Sequence, residues 1–308
     1  MRLALPREAP LDGLDGDRAR SHPLIPQSDG ADRAGDESAS YIPSMEVVIL
    51  PSATEAALVA ARIVARLVRA NPRAVLGLAT GETPRRVYAE LVRVHRQEGL
   101  DFSCVTTFNL DEYVGLDESH PASYRRFMRE NLFRHVNLAP ERAHVPDGQA
   151  PDVEGACAAY EEAIRTAGGI HLQLLGIGAD GHIGFNEPTS SLASRTRMKT
   201  LTTGTLAAVR GQLPPGQEPP RHVITMGIAT ILDSRRCLVL AFGGRKAAAV
   251  ARMVEGPLTA LVPASALQLH PWTTVLVDEE AAAVLALSAY YRDTHANKPG
   301  WQRERDGV

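Results

Sequence analysis

A chain of 308 residues with 44% hydrophobic and 22% charged side chains can bury a full core and has an ordinary globular composition. Its formal net charge of -3 is small for that length, which excludes a strong field for nucleic acid or an anionic membrane and leaves a small molecule as the default ligand. No stretch approaches the roughly 20 apolar residues that a membrane span needs, and Pro6 and Glu8 interrupt the run that begins Met1-Arg2-Leu3-Ala4-Leu5, so export is not expected. Cys104, Cys157 and Cys237 form an odd set without CxxC spacing; Cys104 and Cys237 sit in apolar, strand-like runs, and all three read as reduced core residues of a cytoplasmic protein.

Residues 1–44 are rich in Asp, Arg, Pro, Gly and Ser, show no helical or strand period, and are expected to be disordered. From Met45 the character changes. Val47-Val48-Ile49-Leu50 predicts a buried strand, and Thr54 is placed to cap a helix that ends near Ala70. A strand over residues 74–79 runs into the turn Thr80-Gly81-Glu82-Thr83-Pro84 and then a helix from about Pro84 to Gln97. A strand follows near Val105 to Asn109, then helices after Pro121 and Asp152 and a strand from Ile170 to Leu175. Three more strands are predicted at 222–226, 237–242 and 274–277, the last two each leading into a helix. Apolar strands alternating with helices imply an α/β fold: a doubly wound, mostly parallel, Rossmann-like sheet in a single domain over residues 45–294. Residues 204–221, dense in Gly and Pro, read as a long loop and candidate lid, and 295–308 as a polar, frayed tail.

In such sheets ligands bind beyond the carboxyl ends of the strands, so the residues just after each strand are the candidates. Thr80-Gly81-Glu82-Thr83-Pro84 is a glycine turn opening a helix with proline in its first turn. Its free N–H groups and the helix dipole suit a phosphate, although a plain turn capped by Thr83 reads the same way. The Walker spacing is absent. Next comes Phe108-Asn109-Leu110-Asp111-Glu112-Tyr113, two adjacent carboxylates at the end of an apolar strand. Packing explains them poorly, and a carboxylate in a partly desolvated cleft is equipped to remove a carbon-bound proton; solvated loop acids are the bland alternative.

The richest segment is Gly176-Ile177-Gly178-Ala179-Asp180-Gly181-His182-Ile183-Gly184-Phe185-Asn186-Glu187-Pro188. It contains a literal GxGxxG after a strand. A dinucleotide fingerprint also needs an apolar helix at the third glycine and an acid about 20 residues on, and this sequence has neither. Asp180, His182 and Glu187 instead suggest an imidazole oriented by carboxylates for proton shuttling. His182 and Glu187 lack a third partner that would make them metal ligands, so no metal is expected. Finally, Gly243-Gly244-Arg245-Lys246 places Lys246 to add charge to the phosphate pocket, though a lysine in a first helical turn is usually just solvated.

Taken together and in this order, these segments resemble the glucosamine-6-phosphate deaminase family. The resemblance runs from about Met45 to about Tyr291 and rests on LGLATGETP, TFNLDEYVGL, GIGADGHIGFNEP, SSLASRTRMKTL and LQLHP. The related 6-phosphogluconolactonases have a similar GxGxDGH segment with a different continuation. The resemblance implies conversion of glucosamine 6-phosphate to fructose 6-phosphate and ammonia without a cofactor. Asp111 would be the base that moves a proton between C2 and C1, and His182 would assist ring opening, oriented by Asp180 and Glu187. Thr80, Gly81, Glu82, Thr83 and Lys246 would hold the phosphate, with Arg210 in the place of a lid arginine. A lactonase or isomerase of the same fold, and a non-catalytic sugar-phosphate sensor, are the rival readings.

The resemblance also implies a homo-oligomer and an effector, N-acetylglucosamine 6-phosphate, in a site including Ser190, Ser191, Arg197, Lys199 and Tyr290. Three features depart from the family pattern. Glu82 stands where a small residue is usual, and must turn away or pair with Arg85 or Arg86. Arg210 is one position off and precedes a Pro/Gly-rich stretch. Relatives begin near Met45, so either Met45 is the true start or the effector response is altered.

Overall fold

The apolar runs become strands in the computed structural model, which describes residues 45–210, 213 and 217–307. The strands in chain order are β1 (Glu46–Leu50), β2 (Val75–Leu78), β3 (Thr106–Asn109), β4 (Asp111–Tyr113), β5 (Ala143–His144), β6 (Leu172–Gly176), β7 (Arg197–Thr200), β8 (His222–Thr225), β9 (Cys237–Ala241) and β10 (Thr273–Asp278). The helices are α1 (Ala53–Ala70), α2 (Glu82–Glu98), α3 (Tyr124–Asn131), α4 (Val153–Thr166), α5 (Thr203–Arg210), α6 (Ile228–Leu232), α7 (Ala247–Val254), α8 (Ser288–Ala296) and α9 (Gly300–Asp306). Among the described residues, seven strands form one parallel sheet in the order β1-β10-β9-β6-β2-β3-β5, and a second sheet of three antiparallel strands has the order β4-β8-β7.

The parallel sheet is buried on both faces, as continuous apolar strands require. Alternate residues of each strand enter opposite cores. Leu76, Leu78, Leu172, Leu174, Leu238 and Leu240 pack with α1 and α2. Val75, Leu175, Val239, Val275 and Val277 pack on the other side with Tyr160 of α4 and Val250 and Met253 of α7. On α2 the inward positions are Val87, Leu91 and Val94, one face of a 3.6-residue period, and they are sealed from solvent. Each such aliphatic side chain stabilises the fold by about 1.5–3 kcal/mol.

Several local expectations change. Ser52, not Thr54, caps α1, its hydroxyl accepting from the Glu55 N–H at 3.2 Å. Cys104 lies in the turn before β3, only partly buried, because the strand begins two residues later; Cys157 is on α4 and Cys237 is in β9. The strand over 222–226 is antiparallel and belongs to the small sheet, and β10 is followed by turns until α8. The candidate lid opens with α5, and Gly211, Gln212, Pro214, Pro215 and Gly216 lie outside the described residues, as does the whole of 1–44.

The polar tail is not frayed: residues 300–306 form α9, and a buried ion cluster fastens it. Lys298 Nζ donates to both oxygens of Glu46 on β1, at 2.7 and 2.8 Å, and lies 2.6 Å from Asp306 Oδ2. Arg236 donates to the Asp306 carbonyl at 2.6 Å and lies over the Trp272 ring. A polar segment can dock where its charges meet partners, and hydropathy does not register that.

Candidate active site

Strands β9, β6, β2 and β3 are consecutive neighbours at the centre of the parallel sheet. The turns that follow them carry Lys246, His182, Thr80 to Thr83 and Asp111, the four sequence-predicted segments. All of these residues line one cavity of about 280 Å³.

At β2 the chain turns through Gly81, whose φ of 104° and ψ of -175° suit only glycine, and α2 begins at once with no side-chain cap. The first N–H groups of a 17-residue helix therefore face the cavity without an internal partner, which is the arrangement that holds an anion. Glu82 points largely to solvent, with 78% of its side chain exposed, and sits 3.5 Å from Arg85. Across the cavity, burial lowers the pKa of Lys246, with Arg245 adding to the shift and Asp180 opposing it. The N–H groups of Gly243 and Gly244 are committed to the carboxylates of Asp278 and Glu280, so this turn offers the lysine charge and not its backbone.

The adjacent carboxylates after β3 have opposite fates. Glu112 is buried but fully engaged. It accepts from the N–H groups of Tyr113, Tyr124 and Arg125 and from the Ser123 hydroxyl, at 2.8 to 3.0 Å, and so caps α3. Asp111 is equally buried, and its Oδ1 has no hydrogen-bond partner among the described residues. Burial pushes the Asp111 pKa up to about 7, the Glu112 charge adds to the shift, and the nearby Thr225 hydroxyl and Phe185 N–H oppose it. A carboxylate poised near neutrality at a cavity wall is the form a general base takes.

The loop after β6 packs tightly on this acid. Gly184, at φ 54°, passes so close that a Cβ there would lie 3.1 Å from Asp111 Oδ1. Gly178 is required for another reason: a Cβ would meet the His182 ring at 2.2 Å. Asn186 holds the loop down by donating to the Ile183 and Met226 carbonyls at 3.0 and 2.8 Å. Asp180 Oδ1 lies 2.7 Å from His182 Nδ1 and accepts the His182 N–H at 3.2 Å, so the carboxylate sits against the imidazole that lines the cavity.

Two expected members stand apart. Glu187 accepts from the Thr202 and Thr205 hydroxyls at the start of α5, so it ties the candidate lid to the loop that carries His182. Arg210 pairs with Glu218 at 2.7 Å at an exposed site and does not line the cavity. Of the candidate effector residues, Ser190 is buried and Ser191 exposed. Arg197 and Lys199 share one face of β7, and Tyr290 is exposed on α8. Sequence reasoning missed Tyr124, a half-buried cavity-lining phenol on α3. Its only signal was the aromatic residue after Ser123 at a predicted helix start.

Comparison with known proteins agrees with this geometry. The model of the family described as glucosamine-6-phosphate isomerases/6-phosphogluconolactonase matches residues 51–276. The chain belongs to this family. Among its members it is 54% identical to a glucosamine-6-phosphate deaminase of Arthrobacter sp. (strain FB24) over 258 residues, 84% of this chain and 99% of that protein. The solved structure of a monomeric glucosamine-6-phosphate deaminase superposes with a TM-score of 0.76 at 45% identity, over 78% of this chain and all of that one. A 6-phosphogluconolactonase from Trypanosoma cruzi shares the fold, with a TM-score of 0.62 at 19% identity over 78% of this chain and 97% of its own.

Proposed function

We propose that the chain converts D-glucosamine 6-phosphate and water into D-fructose 6-phosphate and ammonia. The observation that carries this is the convergence of an open helix N-terminus, Lys246, His182 and a buried Asp111 with a pKa near 7 on one cavity of sugar-phosphate size. The names of relatives about half identical over most of the chain support the same activity.

The phosphate binds the N–H groups of the Thr80 to Thr83 turn and the Lys246 ammonium. His182, directed by Asp180, moves the proton between the ring oxygen and O1, so the sugar opens to the aldehyde. Asp111 then takes the C2 proton, giving an enol-amine, and returns it to C1. The resulting C2 imine adds water and expels ammonia, leaving the ketose. No step needs an electron acceptor. Glu187 acts through α5, holding the lid segment against the loop that carries His182. Lactone hydrolysis would use the phosphate turn and His182 but would not require an unpaired carboxylate beside the sugar carbons. The first test is ammonia release from glucosamine 6-phosphate by the purified chain; none at any pH between 6 and 9 removes the proposal.

An effector site for N-acetylglucosamine 6-phosphate, with self-association of the chain and a cytoplasmic location, completes the reading. Its support is positional. Arg197 pairs with Thr225 and Thr225 with Asp111 across the small sheet, so a charge on Arg197 is one strand removed from the base. Ser190 keeps a buried hydroxyl without a hydrogen-bond partner among the described residues. Addition of the effector should shift the substrate-saturation curve, and an unchanged curve would remove the effector site.

A further inference from the structure

Tyr124 is the cavity residue for which the chemistry above has no use. It opens α3, and its N–H is held by Glu112, the residue directly after the base, at 3.0 Å. Its ring packs against Tyr113 at 4.9 Å and Phe185 at 6.2 Å between centroids, so the phenol cannot swing. Its hydroxyl lies 3.1 Å from that of Tyr113. Tyr113 is 4% exposed, and either phenol can donate in this pair; when Tyr113 donates, the Tyr124 proton is available to the cavity that its side chain lines. Burial keeps the Tyr124 phenol neutral, its pKa raised further by Tyr113 and Asp111.

The position decides what it would meet. Tyr124 is within reach of Thr80 in the phosphate turn and feels the charge of Asp111, so it stands between the two ends of the site. With the phosphate on C6 and the base at C2, the midpoint of the opened sugar is C4. We infer that the Tyr124 hydroxyl donates a hydrogen bond to the C4 hydroxyl of the substrate and so makes the site selective for the gluco over the galacto configuration. This rests on the function proposed above. A neutral donor suits the task, because it recognises a hydroxyl without competing with Lys246 for the phosphate.

The test compares Tyr124→Phe with the unaltered chain on three substrates: glucosamine 6-phosphate, galactosamine 6-phosphate and the 4-deoxy analogue of the first. The variant keeps the ring stack, so its thermal midpoint should hold. Its kcat/KM for glucosamine 6-phosphate should fall about 10-fold, the scale of one lost hydrogen bond, with less than about 3-fold change for the galacto epimer and the 4-deoxy analogue. The unaltered chain should lose a similar factor when given the 4-deoxy analogue, a result that needs no variant to fold. Equal losses on all three substrates, or full activity of the unaltered chain on the analogue, would overturn the assignment while leaving deamination intact. Absence of ammonia from the unaltered chain with glucosamine 6-phosphate would overturn both.

Discussion

The cleft at the strand ends and the cluster that fastens α9 both bury charge, and they treat it in opposite ways. In the cluster, burial alone would raise the pKa of Glu46, but the nearby His295 ring, 3.8 Å away, and the hydrogen bonds from Lys298 outweigh it and leave the carboxyl below its usual range. Lys298 and Asp306 have 7% and 0% of their side chains exposed, and each meets its counter-charge. In the cleft, Asp111 has no cation beside it and one orphan oxygen, so its pKa moves upward. Glu112, one residue further on, shows that the same backbone could have satisfied a carboxylate. Buried charge that is paired serves the fold, whereas buried charge left unpaired at a cavity wall is free energy held for chemistry.

Breaking the paired cluster should give the largest effect. Lys298→Ala removes the cation that Glu46 and Asp306 share and should cost about 3–5 kcal/mol in urea unfolding, with kcat/KM within about twofold because the cavity lies at the opposite ends of the strands. A stability loss below about 1 kcal/mol would show the cluster to be solvated in practice. The two regions also tilt the pH dependence of stability in opposite directions. Glu46, with its depressed pKa, contributes stability above its unfolded value of 4.5 that is lost as pH falls below it. Asp111, raised from 3.8 to about 7, costs nothing when protonated and an increasing amount as pH climbs between those values.

Asp111→Asn comes next. It should lower ammonia release by about 10² or more, and abolish an acid limb near pH 7 in kcat/KM, because the base must be ionised to act. It should also stabilise the fold at pH 8 relative to pH 5, and near-normal turnover would refute the assignment of the base. Lys246→Ala should raise KM about 10-fold and change kcat by less than about 3-fold, since a phosphate remote from C1 and C2 is bound alike in ground and transition states. A fall in kcat alone would place Lys246 at the reacting atoms instead. Glu82→Gln should have the smallest effect, a KM lower by at most about twofold. Its side chain is exposed beside Arg85, and such pairs are worth little.

Much of this molecule was legible from local pattern. The runs at 47–50, 105–109, 170–175 and 237–242 read as buried strands, the glycine turns after them read as ligand-facing, and Asp111, His182 and Lys246 were singled out from residue type and position alone. The misses share a cause. Thr54 and Ser52 are both capping residues, and only backbone geometry chooses between them. The strand at 222–225 looks like its neighbours, yet it pairs with residues 111–113, more than a hundred positions away. Glu187 was placed beside His182 from residue type and Arg210 on the phosphate by resemblance, and neither reading could foresee that their side chains meet Thr205 and Glu218.

The sequence by itself determined periodicity, strand ends and the chemical character of each turn, because those depend on residues within a few positions of one another. Only the tertiary structure decided that β9, β6, β2 and β3 are neighbours, which brings four distant turns to one cavity. It also decided which of two adjacent acids is capped and which is left bare, and that Lys298 reaches Glu46 across 252 positions. Desolvation and ion pairing act between groups that the chain folds together, and no local pattern records which groups those will be.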